Sequence, residues 1–173
     1  MRIPALPSAG MLALAAFVVC AASGAALGLV FDPGRGEDAL AQILLHNPWA
    51  SIARALHWWS AQAAFVLALW HAVQHIRRSG DSRLPPQVWL RATLGTAALA
   101  WAMLSGFLLR GDPAAQQALR ACDGVLRSVP LLGEHLAGLL LGPDGGGHAA
   151  LYMHHIAIAT ILAWLATVEH ARR

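Results

Sequence analysis

Four long apolar stretches, separated by polar and turn-forming segments, dominate the pattern of the chain. Each stretch has about 20 residues or more, the length that an α-helix needs to cross the hydrocarbon core of a bilayer. Segments rich in Pro, Gly and charged residues, such as 32–36 and 80–86, separate them. The pattern therefore predicts an all-α integral membrane four-helix bundle in a single domain, 1–173, with spans at 9–31, 49–76, 88–109 and 149–171.

The connections between the spans differ in character. The one after the third span has two short amphipathic stretches, 114–121 and 131–141, which we expect to form helices on the membrane surface. The one after the first span, 31–48, is expected to be a net acidic loop. The first span, with Arg2 before it and small residues near Cys20, also fits a cleaved signal peptide. We expect it to be retained, because it is longer than a usual signal core.

Composition supports a membrane protein and excludes several other classes. Of the residues, 57% are hydrophobic and 12% are charged, whereas soluble domains carry about 25% charged residues. The net charge of +3 is dispersed, and no basic run is interleaved with aromatic residues, so nucleic acid is not an expected partner. Cys20 and Cys122 lie in segments of different polarity and are not expected to pair. No Cys-x-x-Cys-His motif occurs, which excludes conventional c-type haem attachment.

Histidines recur at matching intervals in two of the spans. His57 and His71 are fourteen residues apart in the second span, which on a helix is about 40° of net rotation and about 21 Å of rise. His155 and His170 are fifteen residues apart in the fourth span, which is about 60° and about 22 Å. His154 lies about 160° from His170, on the opposite face. Two helices thus offer one imidazole each at two levels of the membrane.

Two imidazoles at each level favour haem as the ligand. Haem iron takes two axial imidazoles, and a helical bundle supplies an apolar slot for the macrocycle. Zinc and copper usually require three or four protein ligands at one height. The alternative function is a membrane scaffold or transporter subunit whose histidines bind metal or protons. Haem content separates these two hypotheses.

Several short motifs occur in a characteristic order along the chain. They are Ala22-Ser23-Gly24, Arg54-Ala55-Leu56-His57 with Trp59-Ser60-Ala61, then Trp89, Ser105-Gly106-Phe107, the stretch 129–142 and Leu151-Tyr152-Met153-His154-His155. In this order they resemble the N-terminal part of cytochrome b, most closely the short split form of photosynthetic cytochrome b–f complexes. The resemblance runs from about residue 10 to the end of the chain, and the fifteen-residue histidine spacing is typical of the split form.

The resemblance implies two b-type haems, each with two axial histidines. His57 would pair with His155, and His71 with His170. Arg54, one turn before His57, would bind a haem propionate, as the matching arginine of the family does. The alternative for Arg54 is an interfacial arginine that extends to lipid headgroups.

The implied function is electron transfer across the membrane in a quinol-linked respiratory or photosynthetic complex. Possible partners are an iron–sulfur protein, a cytochrome c, a C-terminal cytochrome b half, quinone and membrane lipid. The stretch Leu109-Arg110-Gly111-Asp112 departs from the family's usual Leu-Pro-Trp-Asp, and the Pro-Glu-Trp-Tyr motif of the C-terminal half is absent. We therefore expect an electron-transfer subunit without a complete quinol-oxidation site, and assign no catalytic residue.

Arginine distribution predicts the orientation in an inner or cytoplasmic membrane. All twelve basic residues are arginines, and they are concentrated on one predicted side, whereas acidic residues are concentrated on the other. By the positive-inside rule both termini are cytoplasmic, and His57 and His155 lie towards the outer face. The arginine-rich side carries Arg2, Arg77, Arg78, Arg83, Arg91, Arg172 and Arg173; the other carries Asp32, Glu37, Asp38, Asp112, Asp123, Glu134 and Asp144.

Overall fold

Seven α-helices make up most of the described part of the protein. The structure is a computed structural model, and it describes residues 8–35, 37–79, 85–142 and 147–171. Among these residues there is no β-strand, and one 3₁₀ turn, Pro33–Arg35, lies before α2. The helices are α1 Ala9–Gly28, α2 Glu37–His46, α3 Pro48–Ser79, α4 Pro86–Leu108, α5 Pro113–Arg127, α6 Gly133–Leu141 and α7 His148–Ala171.

Four of the helices are long, and they occupy the regions of the four predicted spans. With 32 residues, α3 is about 48 Å long and exceeds the hydrocarbon core of a bilayer, which is about 30 Å thick. Within the described residues, Ala9–Gly28 and His148–Leu165 are long and apolar enough to cross a membrane by themselves. α3 and α4 carry arginine, glutamine or histidine side chains, which lower their hydropathy. That all four helices cross the membrane remains a prediction.

Polar side chains mark the beginning of three helices. The hydroxyl of Ser8 accepts a hydrogen bond from the backbone N–H of Met11 at the start of α1. The side-chain oxygen of Asn47 accepts one from Ala50 at the start of α3. Asp112 accepts one from Ala115 at the start of α5. Such caps satisfy N–H groups that have no partner inside the helix.

The long helices pack as two antiparallel pairs. α1 lies along α3, and α4 lies along α7. The direction of the first pair follows from its contacts, because Gly24 lies against His57 whereas Gly10 lies against His71. α3 also contacts α4 and joins the two pairs. The pairs enclose an internal space, which His57 and His155 line.

The main buried cluster lies at one end of the bundle. Its five leucines come from the end of α4, from α5 and α6, and from the start of α7. The two short helices expected after the third span are therefore present, and they are packed onto the end of the bundle. The chain reverses between them at Leu131, whose φ is 66°. The cluster consists of Leu108, Leu109, Leu119, Leu141 and Leu151.

Large apolar side chains remain exposed along the outer faces of the long helices. Val18 is 57% exposed, and Val66 and Trp164 are each 63% exposed. A water-soluble protein rarely leaves so many large apolar groups uncovered. The pattern is that of a helical bundle whose outer surface contacts lipid.

The connection after the first span is more ordered than expected. The prediction of an acidic loop over 31–48 was wrong, because α2 occupies ten of these residues. Ala39 and Ile43, one turn apart, are buried, and α2 packs against α3. The hydroxyl of Ser51 donates a hydrogen bond to the carbonyl of Ile43 over 3.3 Å. A helix this short depends on tertiary contacts, so its local pattern carries little signal.

Candidate haem-binding site

Two of the four predicted histidine ligands face each other between the helix pairs. The rings of His57, from α3, and His155, from α7, have centroids 6.0 Å apart and planes at 77°. An imidazole nitrogen binds a transition metal at about 2 Å, so two axial imidazoles with one metal between them have centroids about 6 Å apart. The separation of the two rings therefore fits a single ion with one ligand on each side.

Glycines allow the two rings to lie close to the neighbouring helices. A methyl group built on Gly24 of α1 would lie 2.8 Å from Cε1 of His57. One built on Gly106 of α4 would lie 2.9 Å from Cε1 of His155. Real Cβ atoms do not approach other atoms so closely, so any side chain at either position would displace the imidazole. Gly24 thus accommodates the ring of His57, whereas the next small residue, Gly28, lies against the hydroxyl of Tyr152.

The orientation of His57 is set by the backbone of α1. Its Nδ1 lies 2.8 Å from the carbonyl oxygen of Cys20. Because a carbonyl can only accept, Nδ1 carries the proton and donates it, which leaves Nε2 as the nitrogen available to a metal. The Cys20 sulfur lies 3.4 Å from the same Nδ1, and both Cys20 and Cys122 are free thiols.

A buried hydroxyl performs the same task for His155. Nδ1 of His155 lies 3.0 Å from Oγ of Ser105, and Ser105 is fully buried. The same hydroxyl donates a hydrogen bond to the carbonyl of Ala102 over 3.1 Å. It therefore accepts from Nδ1–H of His155, and Nε2 is again the free nitrogen.

The two rings line a cavity of about 570 Å³ between the helix pairs. Its volume is in the range of sites that hold drug-sized ligands and cofactors. The walls are mostly apolar, and Phe31 and Tyr152 close one side with ring centroids 5.5 Å apart. No acidic side chain is among the described residues that line it. A large, flat and mostly apolar group with metal at its centre suits this space.

Two arginines border the cavity at the end where α3 begins and α4 ends. Arg54 and Arg110 both line it, and Nε of each is buried without a hydrogen-bond partner in the described part of the chain. Unpaired buried donors are costly, so both guanidinium groups are suited to an acceptor that enters the cavity. The predicted propionate ligand, Arg54, is therefore well placed, and Arg110 joins it.

Aromatic rings and a carboxylate hold Arg110 in position. Its guanidinium carbon lies 5.3 Å from the ring centroid of Trp58 and 5.1 Å from that of Phe107. Arg110 also forms an ion pair with Asp112. A hydrogen bond from the backbone N–H of Ala115, and then one from Arg110, lower the pKa of Asp112, so this carboxylate is charged.

The second histidine level is described only in part. A methyl group on Gly10 of α1 would lie 2.9 Å from Cε1 of His71, so a glycine accommodates this ring as Gly24 accommodates that of His57. The rings of His71 and His75 are stacked with centroids 6.4 Å apart. The side chain of His170 lies outside the described residues. The pairing of His71 with His170 therefore stays a prediction.

The neighbour of His155 is directed elsewhere. Nε2 of His154 donates a hydrogen bond to the carbonyl of Leu139 in α6 over 2.6 Å. His154 does not line the cavity. His155 therefore lines the cavity and His154 does not; which of the two binds haem iron stays a prediction.

Sequence reasoning did not identify two residues of the site, Ser105 and Arg110, by their role. Ser105 was part of a motif that indicated the third span, but its contact with His155 depends on the packing of α4 on α7. Arg110 was noted only as a departure from Leu-Pro-Trp-Asp. A charged residue directly after an apolar span was the available signal.

The fold and the site together define a class of protein: an all-helical bundle with an exposed apolar surface and a pair of imidazoles that face a mostly apolar cavity. No family model matches the chain. It is 22% identical over 161 residues to the cytochrome b6 of Synechococcus sp. (strain JA-3-3Ab), covering 92% of this chain and 75% of that protein. The cytochrome b6 of Picosynechococcus sp. (strain ATCC 27264 / PCC 7002 / PR-6) is also 22% identical, with 72% of its length covered.

A solved structure has a similar fold. A chain of a solved structure titled "Hyperthermophilic respiratory Complex III" superposes with a TM-score of 0.75 at 22% identity, over 92% of this chain. The chain spans 45% of the length of that one. The chain is thus similar over 92% of its length to cytochrome b6, the short split form of cytochrome b, and it shares the fold of a chain from a respiratory complex.

Proposed function

We propose that this chain is a di-haem b-type cytochrome subunit that transfers electrons across a membrane within a quinol-linked complex. The similarity to cytochrome b6 proteins supports b-type haem and electron transfer. The main structural observation in support of bound haem is the pair His57 and His155. Their rings face each other across the cavity with centroids 6.0 Å apart. Bound haem would supply one-electron redox chemistry.

The side chains around the cavity have separate tasks in this proposal. His57 and His155 bind the metal through Nε2, because Nδ1 of each ring already has a hydrogen-bond partner. That partner is the carbonyl of Cys20 for His57 and the hydroxyl of Ser105 for His155. The apolar walls exclude water from the macrocycle and lower the local dielectric constant. Arg54 neutralises a propionate at the outer edge. The alternative for this arginine, contact with lipid headgroups, accounts less well for its buried Nε beside the cavity.

The second haem is proposed at the level of His71 and His170. Support comes from the repeat of one arrangement along α1 and α3, since Gly10 and Gly24 are fourteen residues apart, as are His71 and His57. His57 and His71 are about 21 Å apart along the axis of α3, so haem held at both levels would provide a route from one membrane face to the other. A single haem would not reach both faces.

The setting of the subunit is part of the proposal. The solved relative comes from a respiratory complex, and we propose that this chain works with an iron–sulfur protein, a cytochrome c and a C-terminal cytochrome b half. Quinone would meet the chain at a site completed by such a companion. Both termini would be cytoplasmic.

Haem content tests the proposed function. Protein purified from membranes should show the reduced spectrum of a b-type cytochrome, with about two haems per chain because there are two histidine pairs. A folded protein without haem would refute the proposal. Zinc or copper in place of haem would support the alternative, a metal-binding scaffold. Among the described residues, however, no three of His, Cys, Asp or Glu converge on one point.

A further inference from the structure

We infer that Arg110 binds the second anionic group of the ligand in the cavity, so that Arg54 and Arg110 together hold its two propionates. The inference rests on the proposed function, because it takes haem to be that ligand. Haem carries two propionates on one edge of the macrocycle. The structure places two guanidinium groups at one end of the cavity.

The position of Arg110 matches that of Arg54 although the two come from different elements. Arg54 lies one turn before His57 in α3, whereas Arg110 follows the end of α4, two residues after Leu108. Arg110 contacts the ring of Trp58, the residue next to His57. Both arginines therefore lie beside the beginning of α3, at the level of the His57 and His155 pair.

The environment of Arg110 favours binding of an anion over a purely structural role. Asp112 pairs with one terminal nitrogen of Arg110, but Nε is buried and has no partner in the part of the chain described. Asp112 also accepts the hydrogen bond that caps α5. No acidic residue is among the described residues that line the cavity. The cavity edge thus carries two positive side chains, and Asp112, which pairs with Arg110, does not itself line the cavity.

The aromatic contacts fix the guanidinium before the ligand arrives. The rings of Trp58 and Phe107 are both within 5.3 Å of its carbon, measured from their centroids. Cation–π contacts of this kind orient the planar group. A group held in place loses little freedom on binding, so more of the interaction with a carboxylate is retained as affinity.

Binding of haem with free or esterified propionates tests the inference. The full chain, carrying His71→Ala so that the outer site alone binds, is stripped of haem and titrated with haem b or with its dimethyl ester. Arg110→Gln should weaken binding of haem b by about tenfold or more, the effect of losing a hydrogen bond between charged groups. Binding of the dimethyl ester should change by less than about twofold.

Two further variants separate contact from architecture. Arg120→Gln is the matched control, because Arg120 is exposed on α5 and does not line the cavity; it should change neither titration. Arg110→Lys keeps the charge without the planar fork and should fall between the native protein and Arg110→Gln. The titrations are repeated in the protein with His71 intact, so that the result does not depend on the His71→Ala background. There, Arg110→Gln should weaken one of the two haem-binding steps.

The outcomes distinguish this inference from the proposed function. Equal weakening of haem b and of its ester by Arg110→Gln would mean that Arg110 only supports the fold, and no change in either would mean no contact; both results overturn the inference and leave the proposed function standing. If the native chain binds neither form of haem, the proposed function itself fails.

Discussion

Each imidazole that faces the cavity is fixed by several neighbours at once. For His57 these are Gly24, which leaves room for the ring, and the carbonyl of Cys20, which holds Nδ1. For His155 they are Gly106 and the hydroxyl of Ser105. The two rings therefore use different acceptors, a backbone carbonyl and a side-chain hydroxyl. Partners of this kind set ring orientation and ligand basicity.

At this scale the adjacent histidines give the sharpest prediction. His155→Ala should remove the outer haem and leave one haem per chain, because His57 then has no partner across the cavity. His154→Ala should keep both haems, since His154 is bonded to Leu139 away from the cavity. Haem quantification of the two purified variants is the measurement. Loss of the outer haem in His154→Ala but not in His155→Ala would contradict the assignment of His155 as the ligand.

Helical periodicity predicted different directions for His155 and His154, because one residue on a helix turns a side chain by about 100°, and His155 is the one that lines the cavity. It was not sufficient to find Arg110. That residue lies outside a regular helix, and its place at the cavity depends on how the end of α4 meets the start of α3. Ser105 was missed as a partner of His155 for the same reason. Contacts between elements that are distant in sequence leave no local pattern.

At the scale of helices, the bundle depends on glycines placed opposite histidine rings. Gly10 and Gly24 repeat along α1 with the spacing of His71 and His57 along α3. Gly106 serves the same purpose on α4 for His155. Gly24 and Gly28 are four residues apart on α1, a spacing typical of close helix packing, and they have two distinct contacts, one with an imidazole and one with a tyrosine hydroxyl. The sequence indicated close packing but not which side chain was accommodated.

Alanine substitutions at two glycines test this arrangement. Gly24→Ala should lower the affinity of the outer haem by about 10–100-fold, the range found when a partner of a metal ligand is disturbed. The added methyl group would lie 2.8 Å from Cε1 of His57 and would push the ring out of place. The measurement is haem dissociation together with the thermal stability of the holoprotein.

Gly95→Ala is the matched control for that experiment. Gly95 lies within α4, and no described atom is within 4 Å of the position of an added methyl group. This change should leave haem binding unaltered and stabilise the helix by up to about 1 kcal/mol, because alanine is the better helix former. Equal loss of haem in both variants would contradict a specific role for Gly24.

At the scale of the whole molecule, the asymmetry of charge is the main clue to orientation. Three basic residues lie between the second and third spans and a fourth, Arg91, lies near the start of the third, whereas the short helices α5 and α6 lie at the other end of the bundle. The fold places these ends apart because the long helices alternate in direction. The end that carries α5 and α6 also carries Arg54 and Arg110 beside the cavity.

Reporter fusions test the predicted topology. A reporter that is active only outside the cytoplasm should be active when inserted after Ser128, between α5 and α6, and inactive when fused after Arg173. A reporter that fluoresces only in the cytoplasm should give the opposite result at both sites. Immunoblots of each fusion control for expression. Activity of the first reporter at the C-terminus would invert the orientation and exchange the inner and outer haem sites.

The cavity between the helix pairs also has a consequence for the lifetime of the protein. The leucine cluster at the end of the bundle is complete from side chains alone, but the space around His57 and His155 is not filled by protein atoms. With haem in this space, as proposed, folding of the chain and haem binding would share one equilibrium. A cell that makes the chain faster than it makes tetrapyrrole would hold a hollow form, which membrane proteases can recognise. Tetrapyrrole synthesis would then limit how much of this protein accumulates.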